Sequence, residues 1–287
     1  MDHFFIITNL EKDQEMEMTK KIVNHLQENH KTCYVRKKVG CVANGHPYAT
    51  DPATIPPETQ CVIVLGGDGT LLQAARDIVS LQIPLIGINM GTLGYLAGVD
   101  KQSVTSALDL LMRDEFELEE RMMLTGKVYR GEEIIACGIA LNDIVISRDG
   151  PLRVVKFINY VNGEYLNSYN ADGVIIATPT GSTGYSLSAG GPIVAPNAKM
   201  KILTPLAAHE LNSRSIVIPA ADPVMVEIGE GRHRQSELGI AVFDGDMTVS
   251  MVTGDRILIE QADVNTQIIK LNSLSFVEVL RQKMGNM

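Results

Sequence analysis

A glycine-rich turn with one carboxylate is the first segment of this chain that is suited to chemistry. The turn, LGGDGT at 65–70, ends CVIVL at 61–65, a run that is close to wholly apolar. Its three glycines permit a tight turn and a close approach of the backbone to a ligand. Such a turn, at the carboxyl end of a parallel strand, faces the crevice in which open α/β sheets bind ligands. We therefore expect Asp68 to face a ligand and Thr70 to cap a helix that begins at residue 71.

Two familiar phosphate-binding motifs are excluded. The chain contains no G-x-x-x-x-G-K-[ST] sequence, so it has no Walker A loop. The pattern G-x-G-x-x-G also fails, because Leu72 stands where the third glycine belongs. These motifs therefore leave open whether the chain binds a dinucleotide.

A second segment, TPTGSTGYSLSAGGP at 178–192, is rich in hydroxyls and too polar for a core. Hydroxyls and free loop N–H groups suit ribose oxygens, phosphates and base edges. Tyr185 adds an aromatic face on which a base can stack. The alternative is an ordinary Ser/Thr/Gly surface loop. Because the segment directly follows the apolar run VIIA, we favour a binding loop.

A third candidate is the pair Asn142-Asp143, at the head of the strand-like run IVIS. Consecutive strand residues point to opposite faces, so both can touch one ligand only at a strand start or a bulge. A carboxamide beside a carboxylate suits adenine nitrogens and a ribose diol, but for the pair alone a turn before the strand is the better explanation. Asp172-Gly173 is similarly ambiguous. The six histidines show no metal-ligand spacing, and we predict no protein-bound metal site.

Composition limits the class of protein and its partners. The 287 residues are 45% hydrophobic and 21% charged, an ordinary globular mixture, with a net charge of −9. An acidic chain without a basic run makes nucleic acid an unsuitable partner. No apolar stretch reaches the ~20 residues of a membrane span, and we expect no membrane association. The four cysteines are scattered without a C-x-x-C pair, which indicates a reduced, cytoplasmic protein.

The order of the predicted elements indicates two domains. Up to about residue 115, apolar strands alternate with amphipathic helices, which predicts a parallel sheet covered on both faces. Beyond residue 121, strand-like runs follow one another with turns such as Asn162-Gly163 and Asp244-Gly245 between them, which predicts stacked β-sheets. Leu274, Val277 and Leu280 indicate a terminal helix that returns to the first domain. We predict an α/β domain at 1–118, a β-sandwich at 119–265 and a tail at 266–287.

The motifs together, in this order and spacing, resemble the NAD kinase family. The resemblance rests on GGDGT at 66–70, Asn142-Asp143 and ADGVIIATPTGSTGYSLSAGGPIV at 171–194, with FDG at 243–245 as a supporting match. GGDGT alone is weak evidence, since phosphofructokinases and lipid kinases look similar there, but the 171–194 run is specific. The resemblance covers nearly the whole chain and is thinnest over 10–60.

The resemblance implies a Rossmann-like α/β domain followed by a β-sandwich that binds NAD, with NAD between the domains. It implies transfer of the γ-phosphoryl group of ATP to the 2′-hydroxyl of the adenosine ribose, which gives NADP. Mg²⁺ or another divalent metal would accompany ATP, and the chain would form a homodimer or homotetramer. Asp68 would be the proton acceptor.

The resemblance also assigns binding roles residue by residue. The glycines of the turn would admit the ATP phosphates, and Asp172 and Arg153 would contact the dinucleotide, Asp172 at its nicotinamide end. Asn142, Asp143 and the loop from Thr183 would hold the adenosine part. The full set of predicted binding residues is Gly66, Gly67, Gly69, Thr70, Asn142, Asp143, Arg153, Asp172, Thr183, Gly184, Tyr185, Ser186, Leu187 and Ser188.

Three positions depart from the family pattern. Asp143 stands where the family usually has Glu, Asn170 stands where many members have a basic residue, and Asp246 replaces a frequent Gln. The last two bear on NADH use and on feedback by NADP. Two other functions share features with this interpretation. A diacylglycerol or sphingosine kinase shares the GGDGT turn, and a non-catalytic sensor of NAD or NADP would share the binding loop but would not require Asp68.

Overall fold

The computed structural model describes residues 1–36, 49–91, 94–150, 154–210, 213–231, 236–271 and 275–285. The chain divides into two compact units. Unit 1 comprises Met1–Arg121 and Asn265–Met287, and unit 2 comprises Met122–Val264. None of the helices in these ranges has the length and apolar character that a membrane span requires.

Unit 1 is built on a parallel sheet, as the alternation of strands and helices predicts. Its strands lie in the order β2-β1-β3-β4, and the end of the long strand β17 pairs in parallel with β4, Ile268 opposite Leu85. A short strand, β5, pairs with a different part of β4. The strands of this unit are β1 (His3–Thr8), β2 (Thr32–Val35), β3 (Cys61–Gly66), β4 (Leu85–Asn89) and β5 (Val99–Asp100).

Helices cover both faces of this sheet because its strands are apolar on both sides. Ile22 and Leu26 of α1 join α3 in one core cluster with alternate residues of the strands, such as Ile63. Leu71 of α2 packs near Gly87 of β4, whose missing side chain makes room for it. The helices are α1 (Glu17–Glu28), α2 (Asp68–Ile78) and α3 (Val104–Met112), with short 3₁₀ turns at Pro52–Thr54 and Val79–Leu81.

Unit 2 consists almost entirely of antiparallel strands. One sheet has the order β13-β12-β11-β8-β15-β16, and the other contains β10-β9-β14-β17 together with the hairpin β6-β7. The strands are β6 (Glu117–Arg130), β7 (Glu133–Ala140), β8 (Asp143–Arg148), β9 (Val155–Val161), β10 (Glu164–Ala171), β11 (Gly173–Ala177), β12 (Met200–Leu206), β13 (Ile216–Pro219), β14 (Val224–Ile228), β15 (Leu238–Phe243), β16 (Met247–Val252) and β17 (Arg256–Lys270).

The two sheets of unit 2 pack face to face on a single apolar core. Buried residues from both sheets, such as Phe157 of β9 and Phe243 of β15, belong to one cluster. Asn162-Gly163 and Asp244-Gly245 adopt positive φ angles at the predicted turns, as residues of such hairpins must. The predicted fold class, an α/β domain and a β-sandwich, is confirmed.

Strand β12 and the terminal helix are among the elements that depart from the sequence predictions. Strand β12 was not predicted, because Lys201, Thr204 and Pro205 interrupt its apolar pattern; all three are nonetheless placed within the strand. The terminal helix α5 (Phe276–Met284) is present and belongs to unit 1, but Val277 of its predicted apolar stripe is 68% exposed. Leu274 lies outside the described residues. A Ser275–Glu278 capping box stabilises the start of this helix.

Candidate active site

The GGDGT turn joins the buried strand β3 to helix α2, as predicted, but the helix begins earlier. Gly67 is its N-cap and Asp68 its first residue, so Thr70 lies inside the helix and does not cap it. The hydroxyl of Thr70 instead accepts a hydrogen bond from Asn9 Nδ2, 3.1 Å away. The prediction failed because Gly67 can occupy an N-cap without a side-chain acceptor, and Asp68 then interacts favourably with the helix dipole.

The absence of side chains at Gly66 and Gly67 serves different purposes. A Cβ on Gly66 would lie only 2.5 Å from the Cβ of Thr70 and would overlap it, so this glycine is needed for packing of the turn. A Cβ on Gly67 would come within 2.8 Å of Lys12 Nζ. Gly69 is exposed, and nothing lies within 4 Å of where its Cβ would be. The surface of the turn near Gly67 therefore consists of backbone atoms, with the ammonium group of Lys12 beside them.

Asp68 is held in place by backbone donors from a neighbouring loop of unit 1. Its Oδ2 accepts a hydrogen bond from the N–H of Tyr95 at 2.7 Å. Its Oδ1 accepts two, from Leu96 at 3.2 Å and from Ala97 at 3.1 Å. Three backbone donors from one segment fix both position and orientation of the carboxylate more firmly than flexible side chains would.

In unit 2, Asn142-Asp143 forms a sharp corner at the start of β8. A strand start is one of the two places at which both residues can reach one ligand. The corner is held by Asp244, from the turn between β15 and β16. Its carboxylate accepts hydrogen bonds from the N–H groups of Leu141 (2.8 Å), Asn142 (2.7 Å) and Asp143 (3.0 Å). The acid of the FDG motif thus positions the Asn-Asp pair.

The hydroxyl-rich segment is tied to the same corner. Thr178 donates through its backbone N–H to the carbonyl of Asn142 (2.8 Å) and through its hydroxyl to the carbonyl of Leu141 (2.6 Å). A Cβ on Gly181 would overlap the backbone of Asn142, 2.5 Å from its carbonyl carbon, so only glycine permits this approach. The small residues of the run therefore bring its backbone against the Asn-Asp pair.

Within the run, the side chains divide into buried and exposed sets. Ser186 is fully buried and shares a hydrogen bond of 3.2 Å with Thr204 of β12. Thr183, Gly184 and Leu187 are partly buried, and Ser188 is exposed. Tyr185, the first residue of the short helix α4 (Tyr185–Ser188), is 51% exposed. The Tyr185 ring and the Ser188 side chain are therefore the most exposed of these groups.

A pocket of about 440 Å³ lies over this corner within unit 2. Three of its residues alternate along β8 and therefore point to the same face of the sheet, and Tyr185 stands on another side. The residues that line it are Asn142, Asp143, Val145, Ser147, Tyr185, Val242, Asp244 and Gly245. An aromatic ring, a carboxamide and carboxylates around an apolar floor at Val145 are suited to a nucleoside.

Two acceptor groups on the pocket wall have no donor within the described part of the chain. Asn142 Oδ1 is buried without a hydrogen-bond partner. Asp143 is only 5% exposed, and burial, together with the charge of Asp244, raises the pKa of its carboxyl to about 7. Buried acceptors without donors are costly, so this arrangement favours a ligand that brings N–H or O–H groups.

Asp172 lies at the other end of the same strands. In the antiparallel pair β11-β8, Ala177 stands opposite Asp143, whereas Gly173 stands opposite Ser147. The carboxylate of Asp172 accepts a hydrogen bond from Arg148 Nε at 2.8 Å. Since the strand spans five residues, roughly 16 Å separates Asp172 from the Asn-Asp corner.

Other predicted positions have partners or lie beyond the described ranges. Asn170, a departure from the family pattern, donates from its backbone and side chain to Glu210 Oε1, at 2.9 and 3.0 Å. Arg153 lies outside the described residues. In the described ranges, no group of three His, Cys, Asp or Glu side chains is arranged to hold a metal ion.

Comparison with solved structures relates this fold to that of NAD(H) kinases. A crystal structure of yeast NADH kinase complexed with NADH superimposes with a TM-score of 0.80 at 22% identity, covering 98% of this chain and 86% of that one. An NAD kinase from Archaeoglobus fulgidus in complex with ATP gives a TM-score of 0.77 at 21% identity, with 99% of both chains covered.

Sequence comparison gives the family. The description "ATP-NAD kinase N-terminal domain" matches residues 4–116, and "ATP-NAD kinase C-terminal domain" matches residues 141–271. The NAD kinase of Agathobacter rectalis is 47% identical over all of this chain and 99% of its own length. That of Lachnospira eligens is 45% identical, with 99% and 100% covered. The chain belongs to the ATP-NAD kinase family.

Sequence reasoning missed two contributors to these sites. Gly94, in the loop that follows β4, lies against the Asp68 carboxylate, and nothing in its local sequence relates it to residue 68. Asp244 belongs to the FDG motif, but only the fold shows its contacts with residues about a hundred positions away. The sequence pointed to Asp244 only through the turn dipeptide Asp244-Gly245. That dipeptide predicts a hairpin but does not indicate which groups the carboxylate binds.

Proposed function

We propose that this chain transfers the γ-phosphoryl group of ATP to the 2′-hydroxyl of the adenosine ribose of NAD, giving NADP. Membership of the ATP-NAD kinase family supports the reaction. The structural observation that carries it is the pair of buried acceptors, Asn142 Oδ1 and the Asp143 carboxylate, beside the exposed ring of Tyr185. An adenosine brings the amino group and ribose hydroxyls that these acceptors lack, and a base for the ring to stack on.

Asp68 is proposed as the proton acceptor. As the ribose oxygen bonds to the γ-phosphorus, its proton passes to the carboxylate, while the bond to the bridging oxygen breaks and ADP leaves. Phosphoryl transfer asks a protein chiefly for positioning and charge stabilisation, and the three N–H groups that hold Asp68 supply the positioning of this group. The three glycines of the turn would admit the ATP phosphates.

In unit 2, Asn142, Asp143 and the loop Thr183–Ser188 would bind the adenosine part of NAD. Within that loop we assign direct contact to Tyr185, and a supporting role to Ser186 because its hydroxyl is buried against Thr204. Asp172 would contact the nicotinamide end, and its separation from the corner by the length of β11 suits a dinucleotide. Arg153 is proposed as a charged clamp on the resemblance alone.

A divalent metal, Mg²⁺ by preference, is proposed to arrive bound to ATP. Magnesium is commonly held by substrate phosphates with one or two carboxylates, and a protein cage is not needed. Such an ion would neutralise charge that develops on the phosphoryl oxygens. Asp68 is the carboxylate of the turn that would lie near the phosphates.

We also propose that the protein works in the cytoplasm as a homodimer or homotetramer. The scattered cysteines support a reducing compartment; of the described ones, Cys33, Cys61 and Cys137 form no disulfide. The oligomer rests on the family resemblance. Light scattering on the purified protein measures its mass directly, and a monomeric mass would contradict it.

The decisive experiment is NADP formation from NAD, ATP and Mg²⁺ by the purified protein, reported by an NADP-specific dehydrogenase. Asp68→Asn is the matched control, because it keeps the side-chain shape and removes the charge. We expect turnover to fall by several powers of ten, with NAD affinity much less changed. No product from the wild type, with NAD still bound in calorimetry, would favour a sensor; neither product nor binding would favour a lipid kinase.

A further inference from the structure

The loop that follows β4 is built around the Asp68 carboxylate. Its N–H groups at Tyr95, Leu96 and Ala97 all donate to the two oxygens of Asp68. At Gly94, the residue before these donors, a Cβ would lie 2.6 Å from Asp68 Cγ and 2.7 Å from its Oδ2, and would also overlap its Oδ1. The carboxylate therefore occupies the space that any other residue at 94 would fill.

Gly94 is required here for space alone. Its φ angle is not among the positive values found for glycines in the described residues, so its backbone is accessible to alanine. The exposed Gly98 in the same loop differs in one respect: nothing lies within 4 Å of the place where its Cβ would be. The two glycines form a matched pair for a substitution experiment.

The three donors are distributed unequally between the carboxylate oxygens. Oδ1 accepts from Leu96 and Ala97, whereas Oδ2 accepts from Tyr95. A carboxylate offers about four lone-pair positions, two on each oxygen. With respect to the described residues, the acceptor position that is left is on Oδ2.

From this geometry we infer that Gly94 to Ala97 form a positioning element that directs Asp68 Oδ2, and not Oδ1, toward the hydroxyl that is phosphorylated. The inference rests on the proposed function. In the step itself, the O–H bond of the 2′-hydroxyl breaks and its proton binds Oδ2. The oxygen keeps the electron pair and forms the bond to phosphorus, and ADP leaves with the pair of the broken P–O bond. Gly94 is a positioning residue, since it acts through Asp68.

Gly94→Ala tests this inference, because one methyl group must displace the carboxylate. A misplacement of about 1 Å in catalytic geometry costs on the order of 100-fold in rate, and we expect a fall of that size in kcat. The KM for NAD should stay within roughly three-fold, because the adenosine-binding residues are untouched. Gly98→Ala should behave like the wild type. Circular dichroism and the thermal midpoint check that both variants are folded.

A double-mutant cycle separates positioning from a general structural effect. In an Asp68→Asn background, Gly94→Ala should cause little further loss of kcat, because the group it displaces no longer accepts a proton. Full activity of Gly94→Ala would overturn the inference, and so would an undiminished loss when Gly94→Ala is combined with Asp68→Asn. Undiminished turnover of Asp68→Asn alone would instead refute the proposed role of Asp68.

A second variant covers the case in which Gly94→Ala does not fold. Asp68→Glu keeps the charge but is one methylene longer, so its carboxylate cannot occupy the same place with respect to the three backbone donors. We expect its kcat to fall on the order of 100-fold with the KM for NAD little changed. Retention of more than about a tenth of wild-type turnover would overturn the inference, since placement of the oxygen would then not be limiting.

Discussion

Replacement of Asp143 by Asn should make the protein more stable at neutral pH while it weakens the site. Asp143 is 5% exposed, lies beside the carboxylate of Asp244 and receives no hydrogen bond on its own carboxylate from the described residues. Burial, and secondarily the charge of Asp244, raises its pKa from 3.8 to about 7. A buried carboxylate of this kind costs folding free energy whenever it is ionised.

The sign and size of the effect follow from the raised pKa. Between the unfolded and folded pKa values the folded protein holds a proton that the unfolded chain has released, so stability falls as pH rises. At ~1.4 kcal/mol per pKa unit, the group removes about 4 kcal/mol from the free energy of unfolding by about pH 8. Some of that loss is already present at about pH 5, so the free energy of unfolding falls by about 2–3 kcal/mol between about pH 5 and about pH 8. The side-chain amide of the Asp143→Asn variant does not titrate, so that variant should escape this loss.

Urea unfolding of wild type and Asp143→Asn at about pH 5 and about pH 8 measures the effect. We expect the advantage of the variant to grow by about 2–3 kcal/mol at the higher pH. Asp149→Asn, at an exposed carboxyl just beyond β8, is the control for loss of one charge and should change stability by less than about 0.5 kcal/mol. An advantage of Asp143→Asn that is equal at both pH values would refute the reasoning. Calorimetry should show weaker NAD binding by the variant at about pH 8, where it has lost an ionised acceptor.

Two further substitutions probe the pocket of unit 2. Tyr185→Ala should weaken NAD binding in calorimetry by about 1–3 kcal/mol, because one base loses the aromatic ring on which it stacks. Tyr165→Ala removes a ring of β10 that is 62% exposed, and this control should not weaken binding. Equal NAD affinities of the two variants would remove Tyr185 from the site. Asp244→Ala should lower the free energy of unfolding by at least about 3 kcal/mol, because three N–H groups lose a charged acceptor, and a loss below about 1 kcal/mol in urea unfolding would contradict this role.

Local patterns were sufficient for most of the fold. Runs such as FFIIT and CVIVL are buried strands because they are apolar on both faces, and the helical spacing of Ile22 and Leu26 places both residues in the core. Asn162-Gly163 determines its turn through positive φ angles that these residues tolerate. Strand β12 was missed because polar Lys201 and Thr204 are buried there, satisfied by partners that only the folded chain provides.

The residue types of the candidate site could also be predicted, but their supports could not. Asp68, Asn142, Asp143 and Tyr185 are conspicuous for their chemistry and their neighbours in the chain. The rule for helix starts is local and predicts a capping role for Thr70, but the helix begins three residues earlier than that rule predicts. Exposure of Tyr185 and burial of Ser186, adjacent residues of the same loop, depend on the sheet beneath them.

The sequence by itself determined the fold class, the family and the groups able to do chemistry, because periodicity, turn residues and short motifs act over a few neighbouring positions. Only the tertiary structure decided which oxygen of Asp68 is held by two donors and which by one. It also decided that a carboxylate at 244 fixes the corner at 141–143, and that Asp143 is buried deeply enough to hold its proton near neutral pH. These properties arise from groups distant in the chain that meet at hydrogen-bond distance, and from the low polarity that packing creates around them.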